Sequence, residues 1–167
     1  MKKRSRRRFQ SGKQVALDST DRRLLALLQD DNSLPNLELA RRANLSPPTC
    51  LRRVRRLRRE GVIVRDVSLV DPSRVGRGLT VFIEVALERQ QDRMQRAFEE
   101  KVLAISEILQ CYMVSGDSDF LLVAQVSDMD AYHGFVKRVL VRDENVRNFR
   151  SVFAMNTVKY ETAIPLD

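Results

Sequence analysis

Apolar residues recur at helical spacing from Leu17 to Gly61 and then shift to a strand-like rhythm broken by two further helical stretches. Leu17, Leu24, Leu25 and Leu28 share one side of a 3.6-residue wheel, which predicts a helix over about 19–30. Asp18-Ser19-Thr20-Asp21 supplies its cap chemistry, and Asp30-Asp31-Asn32-Ser33 ends it. A second, shorter helix is expected with Asn36 as cap and Leu37, Leu39, Ala40 and Ala43 as its apolar face. After a tight turn at Ala43-Asn44-Leu45-Ser46, Ser46 caps a third helix from about Pro47 to Glu60. Pro47 takes the first helical position, where its missing N–H costs nothing, and Gly61 stops the helix. Leu51, Val54 and Leu57 are its expected buried face. Val62 to Val70 alternates and is rich in β-branched residues, which predicts one or two short strands turning near Arg65-Asp66. Residues 71–78, with Asp71-Pro72, Gly76 and Gly78, form a linker.

Beyond the linker the rhythm is strand, helix, strand, strand, helix, strand. Strands are expected at Leu79–Leu87, Glu107–Val114, Asp119–Val126 and Val146–Lys159, the last bent near Ala154. Helices are expected at Gln90–Leu103 and from the cap Asp128 to about Val141, with Tyr132, Phe135, Val136, Val139 and Leu140 inward. The βαββαβ order is the ferredoxin-like arrangement, which carries helices on one face of its sheet and leaves the other in need of cover. A second copy of the chain is the simplest cover, so a dimer is expected. The fold class is therefore α+β: an N-terminal winged helix-turn-helix over 17–70, then a ferredoxin-like domain over 79–167.

Charge divides the chain in the same place. Residues 1–78 carry 20 Lys/Arg against 8 Asp/Glu, and residues 79–167 carry 10 against 14. A basic half joined to a mildly acidic half points to a polyanionic partner for the first, and charge alone leaves DNA, RNA and an anionic membrane open. Residues 1–16 hold few large apolar side chains and are expected to form a flexible basic arm. No apolar stretch follows that basic start, so it does not fit a secretory signal. Nothing approaches the roughly 20 apolar residues of a spanning helix, and a cytoplasmic protein is expected. Cys50 and Cys111 are too far apart and too few to suggest a zinc site or a disulfide framework.

The third helix narrows the choice of polyanion. It reads Pro47-Pro48-Thr49-Cys50-Leu51-Arg52-Arg53-Val54-Arg55-Arg56-Leu57-Arg58-Arg59, with six arginines between the apolar positions. A short helix precedes it at helix-turn-helix spacing, and a strand pair follows as a wing would. In such a motif the N-terminal part of the second helix enters the major groove of duplex DNA. Arg52 and Arg53 are then placed to reach base edges, because arginine grips guanine with two hydrogen bonds. Arg55, Arg56, Arg58 and Arg59 are placed for phosphates, and Ser46, Pro47 and Thr49 line the helix start. Residues 1–78 contain a single aromatic, Phe9, so the stacking platforms of single-strand RNA readers are missing.

Three segments together resemble the Lrp/AsnC, or feast/famine, regulators. They are Leu17-Asp18-Ser19-Thr20-Asp21-Arg22-Arg23-Leu24-Leu25, the stretch from Asn44 to Leu57 with Glu60-Gly61-Val62-Ile63, and Val114-Ser115-Gly116-Asp117-Ser118-Asp119-Phe120-Leu121-Leu122. The resemblance runs from about Leu17 to the C-terminus. It implies a transcriptional regulator of amino-acid metabolism genes that dimerises, often assembles to octamers, and responds to an amino acid or related metabolite. It places the effector near the GDxD turn, at Gly116, Asp117, Ser118 and Asp119, with the segment around Arg150, Ser151 and Val152 as a weaker candidate. The chemistry is consistent: an aspartate can accept from an ammonium, and amides at a glycine turn can donate to a carboxylate. A plain hairpin turn would have the same composition.

No cofactor and no metal is expected. The single histidine, His133, has no nucleophile at a recognisable motif, and Asp117 with Asp119 lacks metal-ligand spacing. Catalytic residues are therefore not assigned. Two other readings are an architectural protein that coats DNA without an effector, favoured by the basic arm, and an enzyme built on the ferredoxin-like half.

Overall fold

The computed structural model describes residues 14–166; most of the expected basic arm lies outside the described residues. The chain divides into two compact units. One is built from Val70–Val158, and the other from the residues up to Leu69 together with the tail from Lys159.

The helical unit contains α1 (Ser19–Asp30), α2 (Asn36–Ala43) and α3 (Pro47–Arg59). The first begins with a reciprocal capping box: the Asp21 N–H donates to the Asp18 carboxylate at 2.8 Å, and the Asp18 N–H donates back to Asp21 at 3.3 Å. Both later helices end in Schellman turns. At the end of α2, the N–H groups of Asn44 and Leu45 donate to Arg41 and Ala40, with Asn44 in the left-handed region at φ 56°. At the end of α3, Gly61 (φ 75°) and Val62 donate to Arg58 and Leu57. The core joins Leu24, Leu39, Ala40, Ala43, Cys50 and Val54, with Ile63 packed against it.

Three expectations change here. The buried stripe of α3 is Cys50, Val54 and Leu57, while Leu51 is exposed. The i, i+4, i+7 spacing follows the helix more closely than i, i+3, i+6, which drifts by about 120° over six residues. Asn36 lies inside α2, and Pro35 is the cap; the Asn36 side chain instead donates to the Pro47 carbonyl at 3.0 Å, tying the start of α2 to the start of α3. The wing strands expected over 62–70 are not formed: no ladder partner is present among the described residues, and Val67, Leu69 and Val70 are exposed.

Residues 159–166, which follow the sheet in the chain, group with the helical unit. The Ile164 N–H donates to Gln29 Oε1 at 2.8 Å, and Gln29 Nε2 donates to the Ile164 carbonyl at 3.0 Å. Arg22 donates to the Leu166 carbonyl at 3.4 Å. A side-chain amide thus presents α1 with the donor and acceptor of a strand backbone.

The second unit is a four-stranded antiparallel sheet in the order β2-β3-β1-β4, with β1 (Leu79–Leu87), β2 (Ile108–Met113), β3 (Phe120–Val126) and β4 (Val146–Phe153). β4 stops at Phe153, short of the expected Lys159. Two helices, α4 (Asp92–Leu103) and α5 (Met129–Val136), cover one face. Val81, Ile83, Val85 and Leu87 of β1 alternate into the core with Phe120, Leu122, Ala124 and Val126 of β3. Phe98, Val102, Phe135, Val139 and Leu140 close the core from the helices. Asp128 caps α5 by accepting from the Ala131 N–H at 2.8 Å, and the helix runs on into a π-helical segment, Lys137–Val141. Lys101 reaches the Val139 carbonyl at 2.5 Å and Asp143 at 2.7 Å, so one ammonium serves the widened turn. The opposite face of the sheet exposes Phe82 and Val152 and carries the Glu84–Arg150 pair at 2.8 Å.

Phe120 is 1% exposed and packs on Phe98 with ring centroids 4.9 Å apart. Phe120→Ala is expected to cost the sheet unit about 3–5 kcal/mol in denaturant unfolding. The Asp21 N–H, and after it the Arg53 guanidinium, hold the Asp18 carboxyl below its ordinary value of 3.8. A depressed carboxylate pKa contributes stability above the unfolded value and loses it as pH falls through the folded one. Acidification below about pH 4 is therefore expected to loosen α1. Asp18→Asn, which keeps the cap and does not titrate, should flatten that part of the profile in circular dichroism.

Candidate functional sites

The arginines of α3 separate into two sets. Arg52, Arg55 and Arg59 are exposed on the side away from Cys50, Val54 and Leu57, with no carboxylate partner among the described residues. Arg58 is also exposed and pairs with Asp66 at 3.0 Å. Arg53 and Arg56 lie on the flank beside α1. Arg53 Nη1 is 2.7 Å from Asp18 Oδ2 and 2.8 Å from Asp21 Oδ1, while Arg56 Nη2 donates to the other oxygen of Asp21. Asp21 is 1% exposed. A carboxylate so far from water requires close positive partners, and it has two. The Nε atoms of both arginines are buried, without acceptors among the described residues. Arg53, expected at a base edge, and Arg56, expected at a phosphate, are both engaged in intramolecular ion pairs. Sequence reading missed Asp21 because an acidic residue in a first helical turn reads as a cap. The available signal was the i, i+3 spacing of Arg53 and Arg56, which aims both at one flank.

The start of α3 is exposed at Ser46 and Pro47 and half-buried at Thr49. Ser46 Oγ donates to Thr49 Oγ1 at 2.9 Å and accepts no capping bond from a backbone amide. The three residues sit together at the N-terminal end of the helix, one turn from Arg52.

In the second unit, Gly116, Asp117, Ser118 and Asp119 occupy the turn between β2 and β3. Gly116 has φ 120°, a conformation that a side chain would strain. Asp117 is exposed, and the N–H groups of Gly116, Asp117 and Ser118 donate to no partner among the described residues. Asp119 is different. Its N–H donates to the Val85 carbonyl at 2.9 Å, and its carboxylate accepts from the Leu87 N–H at 2.7 Å. The side chain continues the β1–β3 ladder past Val85–Phe120, where strand β1 shifts register against β4 at Ala86/Leu87. Ser151, on β4, accepts from the Tyr132 hydroxyl at 2.7 Å, a partner the sequence did not suggest. The structure thus leaves Gly116, Asp117 and Ser118 open and engages Asp119 and Ser151.

Two family models match the chain: a winged helix-turn-helix DNA-binding domain over residues 17–64 and the Lrp/AsnC ligand binding domain over residues 80–164. A Haemophilus influenzae protein described as an HTH-type transcriptional regulator is 41% identical over 150 residues, covering 90% of this chain and 89% of its own. The leucine-responsive regulatory protein of Escherichia coli K12 is 40% identical over 143 residues, 86% of this chain and 87% of its own. Among solved structures, the Neisseria meningitidis transcriptional regulator NMB0573 in complex with L-Met superposes with a TM-score of 0.86 at 35% identity, covering 91% of this chain and 98% of that one. With an arginine-lined helix-turn-helix in one unit and a ligand-binding fold in the other, the chain belongs to the Lrp/AsnC family of transcriptional regulators.

Proposed function

We propose that the protein reads duplex DNA sequence through the start of α3 and adjusts its self-association when an amino acid or a related metabolite occupies the turn at Gly116–Ser118. The observation that carries the first part is the exposed, carboxylate-free set Arg52, Arg55 and Arg59. Arg52 lies nearest the helix start and takes the base-edge role; Arg55 and Arg59, further along the same face, take phosphates. Ser46, Pro47 and Thr49 flank Arg52 at the groove.

The ligand reading rests on the free amides of the turn beside the exposed Asp117 carboxylate. Those amides suit a carboxylate and Asp117 suits an ammonium, together a zwitterion. The L-Met complex of the Neisseria relative favours the same ligand class. Asp119 acts on this reading from behind the site by holding the end of β1, and Ser151 by tying β4 to Tyr132 of α5. The exposed Phe82 and Val152 on the open sheet face favour a homodimer or a larger assembly. A ligand shifts that assembly only as far as it binds one form better than another.

Arg52→Ala should relax sequence preference and cost about 1–3 kcal/mol on a preferred duplex; equal weakening on preferred and random duplexes overturns the base-reading role. For the ligand, melting temperature is measured against the twenty amino acids and related keto acids at millimolar concentration. Occupancy at 100-fold over Kd adds about 2.7 kcal/mol and gives a clear upward shift. Asp117→Ala should abolish the shift and leave the ligand-free melting temperature unchanged. Asp119→Ala should lower the ligand-free stability by about 1–3 kcal/mol, since it orphans the Leu87 N–H. A panel without any shift overturns the amino-acid reading.

A further inference from the structure

We propose that Asp18 and Asp21 set the sequence discrimination of this protein without touching DNA, by holding Arg53 and Arg56 against α1 and keeping them off the phosphates. The inference rests on the reading that α3 is the DNA-contacting helix.

Six arginines within the thirteen residues of α3 would make it a strong general polyanion binder. Each phosphate neutralised steepens the dependence of log K on log salt by about 0.9, and this contribution is the same for every sequence. An arginine that reads no base therefore raises affinity for wrong and right sites alike and adds nothing to their ratio. Arg58 pairs with the exposed Asp66, whereas Arg53 and Arg56 are the two held by a buried carboxylate. Their side chains are 26% and 34% exposed, on the flank of α3 that faces α1. Both bond to one carboxylate that is 1% exposed, and Arg53 also bonds to Asp18. To reach a phosphate, Arg53 must abandon two oxygens at 2.7 and 2.8 Å and strip a buried charge of a partner. The outlay is large for Asp21, which has no water to fall back on, and small for Asp18, which is 52% exposed. Asp21 is thus the anchor, and Asp18 the member that trims how freely Arg53 can leave.

This division makes Asp18 the useful position to change. Asparagine still accepts from the Asp21 N–H and is as good a helix cap as aspartate, so Asp18→Asn removes the charge and keeps the helix start. Wild type, Asp18→Asn, Arg53→Ala and the double variant are titrated with salt on two duplexes. One is selected by the wild-type protein from a random pool, and the other is a scrambled sequence of the same composition; melting temperatures are recorded for all four proteins.

Asp18→Asn is expected to bind the scrambled duplex more tightly, with a salt slope steeper by up to about 0.9, the limit of one full phosphate contact and roughly 3.5-fold across a fourfold change in salt. Its ratio of selected to scrambled affinity falls. Arg53→Ala alone keeps the wild-type slope, and in its background Asp18→Asn gains nothing, as the cycle requires if the charge acts through Arg53. Three results overturn the proposal: an unchanged slope and ratio in a normally folded Asp18→Asn protein, a gain that persists without Arg53, or a slope lowered by about 0.9 in Arg53→Ala alone. The last comparison does not depend on Asp18→Asn folding. If the wild type selects no duplex from the pool, the DNA-reading assignment itself fails; a selected duplex with indifferent variants fails this proposal alone.

Discussion

A carboxylate withdrawn from water has to be answered by positive charge, and in the helical unit Asp21 is answered twice. That requirement orders much of the unit. The helices are short, and the core joining them is a handful of leucines and alanines with one cysteine. Apolar packing alone leaves the rotation of a short helix weakly specified. Two guanidiniums on one carboxylate specify it, because α3 cannot roll without breaking a geometry that neither water nor another side chain restores. The same bond links the start of α1, through its capping box, to the middle of α3. Cap, buried charge and recognition surface are one connected arrangement.

The sheet unit solves a comparable problem by a different route. Where the β1–β3 ladder runs out of backbone, the Asp119 carboxylate takes the next N–H. The turn before it is released to bulge at Gly116 without fraying the strand. An acidic side chain in each unit thus does structural work that leaves a neighbouring group available: Arg52 beside the clamp in one, Asp117 beside the ladder in the other.

Much of this was legible in the residues. The order of helices and strands follows from apolar spacing, and Tyr132, Phe135, Val136, Val139 and Leu140 lie inward as their periodicity requires. Element ends were also readable where a cap has one cause, as at Asp18, Asp128 and Gly61. What escaped had no local signature. Cys50 rather than Leu51 lies in the core because it shares a helix face with Val54 and Leu57, a phase that a thiol's modest hydropathy does not advertise. Asp21 and Arg53 meet across 32 residues of chain, a separation at which periodicity says nothing. The strands expected over 62–70 required a partner, which alternation of residues does not supply. The last strand reads through to Lys159 in the sequence, yet β4 stops at Phe153, and Ile164 further on bonds to Gln29 of α1.

That last contact changes how the molecule can be assembled in time. The helical unit is drawn from two stretches of chain with the whole sheet between them. A ribosome delivers α1, α2 and α3 early, but residues 159–166 only after every strand has emerged. The helices therefore leave the ribosome before the contact that Gln29 makes with Ile164 can form. Completion of the unit reports that the sheet has been synthesised through β4. A chain with a stalled or misfolded centre would carry an α1 still waiting for its last contact.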